Sequence, residues 1–234
     1  MNVSTAKALV TGGSSGIGLE TARLLREKGA QVAICGRDEL RVRQAAEEIG
    51  ALAIHGDVSI EEDVVRMVQQ VIDAFDGYDV LINNAGFGLF APLVETELSA
   101  MQRVYATNVF GAMLVARESA RHFITQNHGN ILNVASTAAQ RGYAGGTMYS
   151  SSKFALAGLT ECWRAELRKN NIRVMQVNPS EVQTDFVAAS GRPLRPFSER
   201  KLVSRDIAQT IVAMLELPDR GFVTESTVWA TNPD

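Results

Sequence analysis

Tyr149 and Lys153 stand four residues apart in Tyr149-Ser150-Ser151-Ser152-Lys153. If this run is helical, both side chains project from one face, about 6 Å apart along the axis. A phenol, with an ordinary pKa near ~10, exchanges protons poorly at neutral pH. An ammonium group beside it favours the phenolate and lowers that value. The spacing thus predicts a proton-transferring pair. Tyrosine and lysine at this spacing also decorate ordinary surface helices, so the pair takes its meaning from the frame that holds it.

A second group of residues points to that frame. The apolar run Lys7–Thr11 leads directly into Thr11-Gly12-Gly13-Ser14-Ser15-Gly16-Ile17-Gly18, and a helix opens at Leu19. Strand, glycines and helix in that order are the context of a dinucleotide-binding turn. Glycine lets the backbone turn sharply and come close to a pyrophosphate. The helix N-terminus supplies free N–H donors and partial positive charge. Gly12, Ser14, Ser15, Gly16, Ile17 and Gly18 are therefore the candidate phosphate cradle.

The elements that must position these residues are legible as alternating patterns. Strands are expected at Lys7–Thr11, 31–35, 51–55, 79–83, 130–135, 173–178 and 222–229, most of them nearly continuous apolar runs suited to burial on both faces. Helical spacing relates Val64, Val68, Val71, Ile72 and Phe75, and again Leu156, Leu159, Trp163 and Leu167. Strands separated by helices imply right-handed βαβ units in one parallel sheet. The fold expected is α/β, a doubly wound Rossmann-type sheet of about seven strands in a single domain over residues 1–234. Residues 185–204 lack periodicity, contain Pro193 and Pro196, and are the candidate substrate lid, where Arg192, Arg195, Arg200 and Lys201 form either a solvated basic loop or an attraction for an anionic substrate or phosphopantetheine-type carrier.

Composition narrows the classes. A net charge of −3 gives no electrostatic case for nucleic acid or an anionic membrane. No apolar run approaches the ~20 residues of a membrane span, and the N-terminus lacks the regions of a signal peptide. A cytoplasmic protein is the expectation. His55, His122 and His128 show no metal-ligand spacing, so no metal is expected. Cys35 and Cys162 lie far apart in apolar segments and read as buried core thiols.

The glycine spacing, T-G-x-x-x-G-x-G rather than G-x-G-x-x-G, resembles that of the short-chain dehydrogenase/reductase family, and further matches follow in chain order up to about Phe186. The resemblance implies that Asp57 and Val58 meet the adenine; taken alone, Asp57 also reads as a turn or near-cap residue. Asn83-Asn84-Ala85-Gly86 matches N-N-A-G, which implies that Asn84, Ala85 and Gly86 steady the sheet and border the cofactor. Tyr149 and Lys153 match Y-x-x-x-K, and Ser136, thirteen residues earlier, matches the serine that holds the substrate oxygen. Asn108 matches an asparagine that binds a water in a proton relay through the lysine; it also reads as a helix-kinking core residue. Lys153 is implied to reach the nicotinamide ribose. Pro179, Val182 and Thr184 match the P-G-x-V-x-T loop that holds the carboxamide, with Ser180 in the glycine's place. If that position needs a positive φ, a serine there costs of order 1 kcal/mol.

Cofactor preference follows from the end of the second strand. An acid about 20 residues beyond the glycines usually binds the ribose 2′-hydroxyl of NAD. Gly36 stands there instead, followed by Arg37, whose forked donors suit a 2′-phosphate. Asp38 is better placed to cap the helix 39–49. NADP(H) is therefore the expected cofactor, with NAD(H) as the alternative. The expected activity is hydride exchange with a small carbonyl or alcohol substrate, 3-oxoacyl compounds among the candidates. A regulatory cofactor-binding protein without turnover would have lost Tyr149, Lys153 or Ser136. A sugar-nucleotide epimerase would need a longer C-terminal region. Helices 98–123 and 149–169 resemble those that pair in dimeric and tetrameric relatives, and Met101, Phe110, Met113 and Leu114 supply apolar surface for a homodimer or homotetramer.

Overall fold

The apolar runs become strands β1 (Lys7–Thr11), β2 (Gln31–Gly36), β3 (Leu52–His55), β4 (Val80–Asn83), β5 (Gly129–Val134) and β6 (Ile172–Pro179). A short pair, β7 (Val182–Gln183) and β8 (Leu202–Val203), precedes β9 (Glu225–Val228). The computed structural model describes residues 1–184, Phe186 and 196–232. Seven strands form one sheet in the order β3-β2-β1-β4-β5-β6-β9, with every neighbouring pair parallel. The chain reverses its winding between β1 and β4. Doubly wound sheets bind their ligands in the crevice at such a point, beyond the carboxyl ends of the strands.

Helices α1 (Gly16–Glu27), α2 (Glu39–Ile49), α3 (Glu61–Phe75), α4 (Leu98–Tyr105), α5 (Ala112–Gln126), α6 (Thr147–Leu167) and α7 (Ser204–Glu216) cover the sheet. Alternation along each strand feeds two cores. Val10 and Ile34 face one way, against Leu25, Val42 and Ile211 of α1, α2 and α7. Leu9 and Cys35 face the other way, against Val64, Val68 and Phe123 of α3 and α5. Both faces are buried, which is why these strands read as continuous apolar runs.

The structure departs from the sequence-based expectation at four places. The helix expected over 98–123 is interrupted by a π-helical stretch, Ala106–Gly111, between α4 and α5. Cys162 is exposed on α6, whereas Cys35 is buried as expected. Leu114 is buried, and Met101 and Met113 pack against core clusters, so of the four residues expected on an outer face only Phe110, 56% exposed, is there. The candidate lid at 185–204 lies mostly outside the described residues, Arg192 and Arg195 included. Its end is irregular only to Lys201, where β8 and then α7 begin, and Gln183 donates to the Ser198 carbonyl and accepts from the Ser198 N–H, stitching the returning chain to β7. Among the described residues no helix is long and apolar enough to cross a membrane.

Candidate functional site

At the carboxyl edge of the sheet lies a cleft of about 990 Å³ that runs from Arg37 to Tyr149. Its floor begins with the glycine turn. Gly12 and Gly16 adopt positive φ values of 61° and 56°, conformations that cost L-residues with a side chain. A Cβ on Gly18 would lie 2.4 Å from the Gly12 carbonyl oxygen, so the first turn of α1 can close on the loop only without a side chain there. Ser15 is the N-cap of α1 and makes no side-chain cap bond. Ser14, Ser15 and Ile17 line the cleft with the glycines. The N–H groups opening a helix have no intrahelical partner, and Gly16 and Ile17, which open α1, line the cleft.

Asn84 ties this turn to β4. Its amide nitrogen donates to the Thr11 and Gly12 carbonyls, while the Thr11 hydroxyl accepts from the Asn84 and Ala85 N–H groups. Buried Thr11 thus fixes both strand ends across the crevice.

At the far end, Gly36 ends β2, and a Cβ there would lie 3.6 Å from the Ser14 hydroxyl. Exposed Arg37 lines this end, its carbonyl 3.1 Å from His55 Nε2. The Asp38 carboxylate accepts from the Arg41 N–H at 3.0 Å, the N-cap its position predicts. The Arg41 side chain, in the first turn of α2, lines the same end of the cleft. Asp57 Oδ1 accepts from both the N–H and the hydroxyl of Ser59, so that oxygen serves a turn while the residue borders the cleft. Val58 is buried against Gly111, where a Cβ would come within 2.8 Å of it.

The π-helical stretch places Asn108. Buried there, Asn108 donates to the Phe87 carbonyl and to Ser152 Oγ and accepts from the Phe87 N–H. Ser152 in turn donates to the Tyr149 carbonyl one turn back on α6. Single π turns widen a helix by one residue and recur at functional sites. Here the extra residue swings an amide across to α6. A Cβ on Gly86 would sit 3.1 Å from Asn108 Oδ1 and 3.7 Å from Lys153 Nζ, so the absence of a side chain at Gly86 keeps these groups close.

Tyr149 and Lys153 project from α6 as the spacing predicts, both buried, with Lys153 Nζ 5.8 Å from the centre of the Tyr149 ring. Their acidities differ from the sequence expectation. Burial pushes the Tyr149 phenol up to about 12, partly offset by a side-chain hydrogen bond with Ser136. Burial pulls the Lys153 ammonium down to about 8, and Nζ donates to the Val134 carbonyl rather than to the phenol. Desolvation disfavours each charged form. Ser136, two residues past β5, caps a short 3-10 turn and accepts from the Ala138 N–H. Its hydroxyl and the Tyr149 phenol converge at this end of the cleft.

After β6, Pro179 is buried and Ser180 donates its N–H to the Val228 carbonyl. Ser180 is not among the positive-φ residues, so it carries no left-handed strain. Val182 and Thr184 line the cleft, and Thr184 faces Gly16, from which a Cβ would lie 3.6 Å away. Beyond them Phe90 and Phe186 pack against the Tyr149 ring at 5.5 and 5.4 Å. Arg41, Ser152, Phe90 and Phe186 escaped the reading of the sequence. Arg41 lies four residues past Arg37, in the first turn of α2, a signal that could have been used; the other three carry no motif.

The pattern of the short chain dehydrogenase family matches residues 6–194. The chain is 39% identical over 188 residues to (+)-borneol dehydrogenase 2 of Salvia officinalis, an alignment covering 78% of this chain and 66% of that protein. This chain therefore spans about two thirds of that relative's length. A 3-ketoacyl-(acyl-carrier-protein) reductase from Brucella melitensis, solved with NADH, superposes with a TM-score of 0.88 at 28% identity, covering 96% of each chain. An alcohol dehydrogenase from the archaeon Thermococcus sibiricus, solved with 5-hydroxy-NADP, superposes with a TM-score of 0.85 at 26% identity over 97% of this chain and 98% of its own.

Proposed function

The chain belongs to the short-chain dehydrogenase family, and on that premise we propose that it exchanges a hydride between NADP(H) and a carbonyl or alcohol carbon. Tyr149 acts as the proton donor and acceptor. The observation that carries this reading is one continuous cleft with the glycine turn at one end and Ser136, Tyr149 and Lys153 at the other. The cleft fits a nicotinamide dinucleotide on its own geometry. The glycine turn and the start of α1 suit a pyrophosphate, Asp57, Val58 and Arg37 border the adenosine end, and Pro179, Val182 and Thr184 border the nicotinamide end. Bound there, the nicotinamide supplies or takes up the hydride.

The chain's own residues do the rest. In the reducing direction the Ser136 hydroxyl holds the carbonyl oxygen. The Tyr149 phenol keeps its proton at neutral pH, because burial holds its pKa at about 12. It releases that proton to the substrate oxygen as negative charge develops there, leaving a phenolate. The Lys153 ammonium, 5.8 Å from the ring, stabilises that phenolate. Lys153 also orients the nicotinamide ribose. The Asn108 side chain, with both amide N–H donors committed to Phe87 and Ser152, braces α6 beside the proton relay in which the residue takes part.

Tyr149→Phe is expected to lose about 10²–10⁴ of turnover while titration shows cofactor affinity nearly unchanged. Full activity in that variant rules out Tyr149 as the proton donor. The same reading includes a cytoplasmic enzyme, in keeping with two free thiols. It also includes a homodimer or homotetramer through α4–α6, supported by exposed Leu98, Phe110 and Phe154. A monomeric mass by light scattering at micromolar concentration refutes the assembly.

A further inference from the structure

We infer that the substrate is an apolar ring ketone, or its secondary alcohol, held among the described residues by aromatic walls and by hydroxyls at its carbonyl. This rests on the hydride-transfer reading above and adds what the substrate half of the cleft selects. Around the Tyr149 phenol the walls are aromatic. Phe90 and Phe186 meet the Tyr149 ring at tilts of 57° and 58°, and Tyr143 stacks on Phe90 at 6.4 Å. Gly88 makes the room for this: a Cβ there would lie 2.8 Å from Phe90 Cζ and 3.0 Å from Phe186 Cζ. Two rings inclined to a third enclose a concave corner. A corner accepts bulk on both sides of a carbonyl, as a saturated ring presents it, whereas a chain would leave much of it unfilled.

Charge is placed elsewhere. Among the described residues, the cations lining the cleft are Arg37 and Arg41 at the adenosine end and Lys153 behind Tyr149. Among the described residues, the acid lining the cleft past β6 is Glu181, which pairs with Lys201 at 3.4 Å. Ser136, hydrogen-bonded to the Tyr149 phenol, is the hydroxyl that meets the carbonyl oxygen, and Thr137 and Tyr143 line the cleft beside it. A carboxylate or phosphate tail in the corner would find no cation among the described residues there, and burying it unpaired is costly. Arg141 lies beyond Tyr143, in a separate cavity of about 260 Å³ shared with Gln140 and Trp229. An anionic tail would have to pass Tyr143 to reach it.

Three ketones of equal carbon count separate the alternatives: 4-tert-butylcyclohexanone, decan-2-one and 9-oxodecanoate, each assayed with NADPH and NADH by nicotinamide absorbance. The ring ketone is expected to show kcat/KM about tenfold or more above the other two, the scale on which pocket shape discriminates. Phe90→Ala should raise KM for the ring ketone about tenfold with a smaller change in kcat, as loss of binding common to ground and transition state does. Phe90→Leu, which keeps apolar bulk without the ring, should fall between. A preference for decan-2-one overturns the ring assignment, and a preference for 9-oxodecanoate overturns the apolar one and points to Arg141. Either outcome leaves hydride transfer standing. No turnover of all three with either cofactor overturns the hydride-transfer reading and the inference with it.

Discussion

The two ends of the cleft are built from different materials. The dinucleotide end is mostly backbone: Gly12 and Gly16 at positive φ, Gly18 pressed to the Gly12 carbonyl, and helix N–H groups. The substrate end is side chain: Tyr149, Phe90 and Phe186 in ring contact, with Ser136 and Lys153 beside them. Backbone donors are fixed by the main-chain path and change little when neighbouring side chains do. Side-chain walls are redrawn by single substitutions. One fold can therefore keep one cofactor while its substrate changes. The contrast predicts that substitutions at one end leave the other end's function nearly intact.

Tyr149→Phe should produce the largest separation, removing turnover while leaving cofactor binding. A smaller effect tests the dinucleotide end. Arg37→Ala is expected to weaken NADPH by about ten- to a hundredfold, the worth of one hydrogen bond to a charged group, and to leave NADH nearly untouched. Arg41, beside it in the cleft, retains some attraction for a 2′-phosphate, which puts the effect toward the lower figure. Titrating both cofactors against wild type and variant decides it: a wild type that prefers NADH, or a variant that loses both equally, removes Arg37 as selector.

The smallest expected effect is the pH profile. Lys153, with its pKa pulled down to about 8, is charged below that pH and neutral above it. Tyr149 keeps its proton until about 12. Carbonyl reduction draws on both protonated groups, so kcat/KM should be level at low pH and fall as pH rises through about 8. The Tyr149 proton is not the one being lost. A profile that stays level to about pH 10 would mean that the Lys153 charge is not needed in the rate-determining step.

Much of the sheet was legible because its information is local. Continuous apolar runs give strands buried on both faces, and β1 and α2 fall where periodicity and capping place them. Asp38 reads as an N-cap from its neighbours alone. The helix over 98–123 did not read correctly. A π turn at Asn108 adds one residue without changing the residue types, and the Phe87 backbone that Asn108 binds lies 21 positions away. Cys162 and Leu114 failed for a related reason: a helix face shows its period in the sequence, but which neighbour covers it is settled elsewhere in the chain.

By itself, then, the sequence determined the order of strands and helices, the glycine turn, and the shared face of Tyr149 and Lys153. These depend on residues a few positions apart, where backbone geometry fixes the outcome. Tertiary structure decided the direction of the two pKa shifts, the bracing of α6 by Asn108 and Ser152, and the aromatic corner over Tyr149. Each arises when groups distant in the chain exclude water from the same volume. Desolvation depends on that enclosed volume and not on sequence spacing, so a motif that names the proton-transferring pair cannot state its acidity.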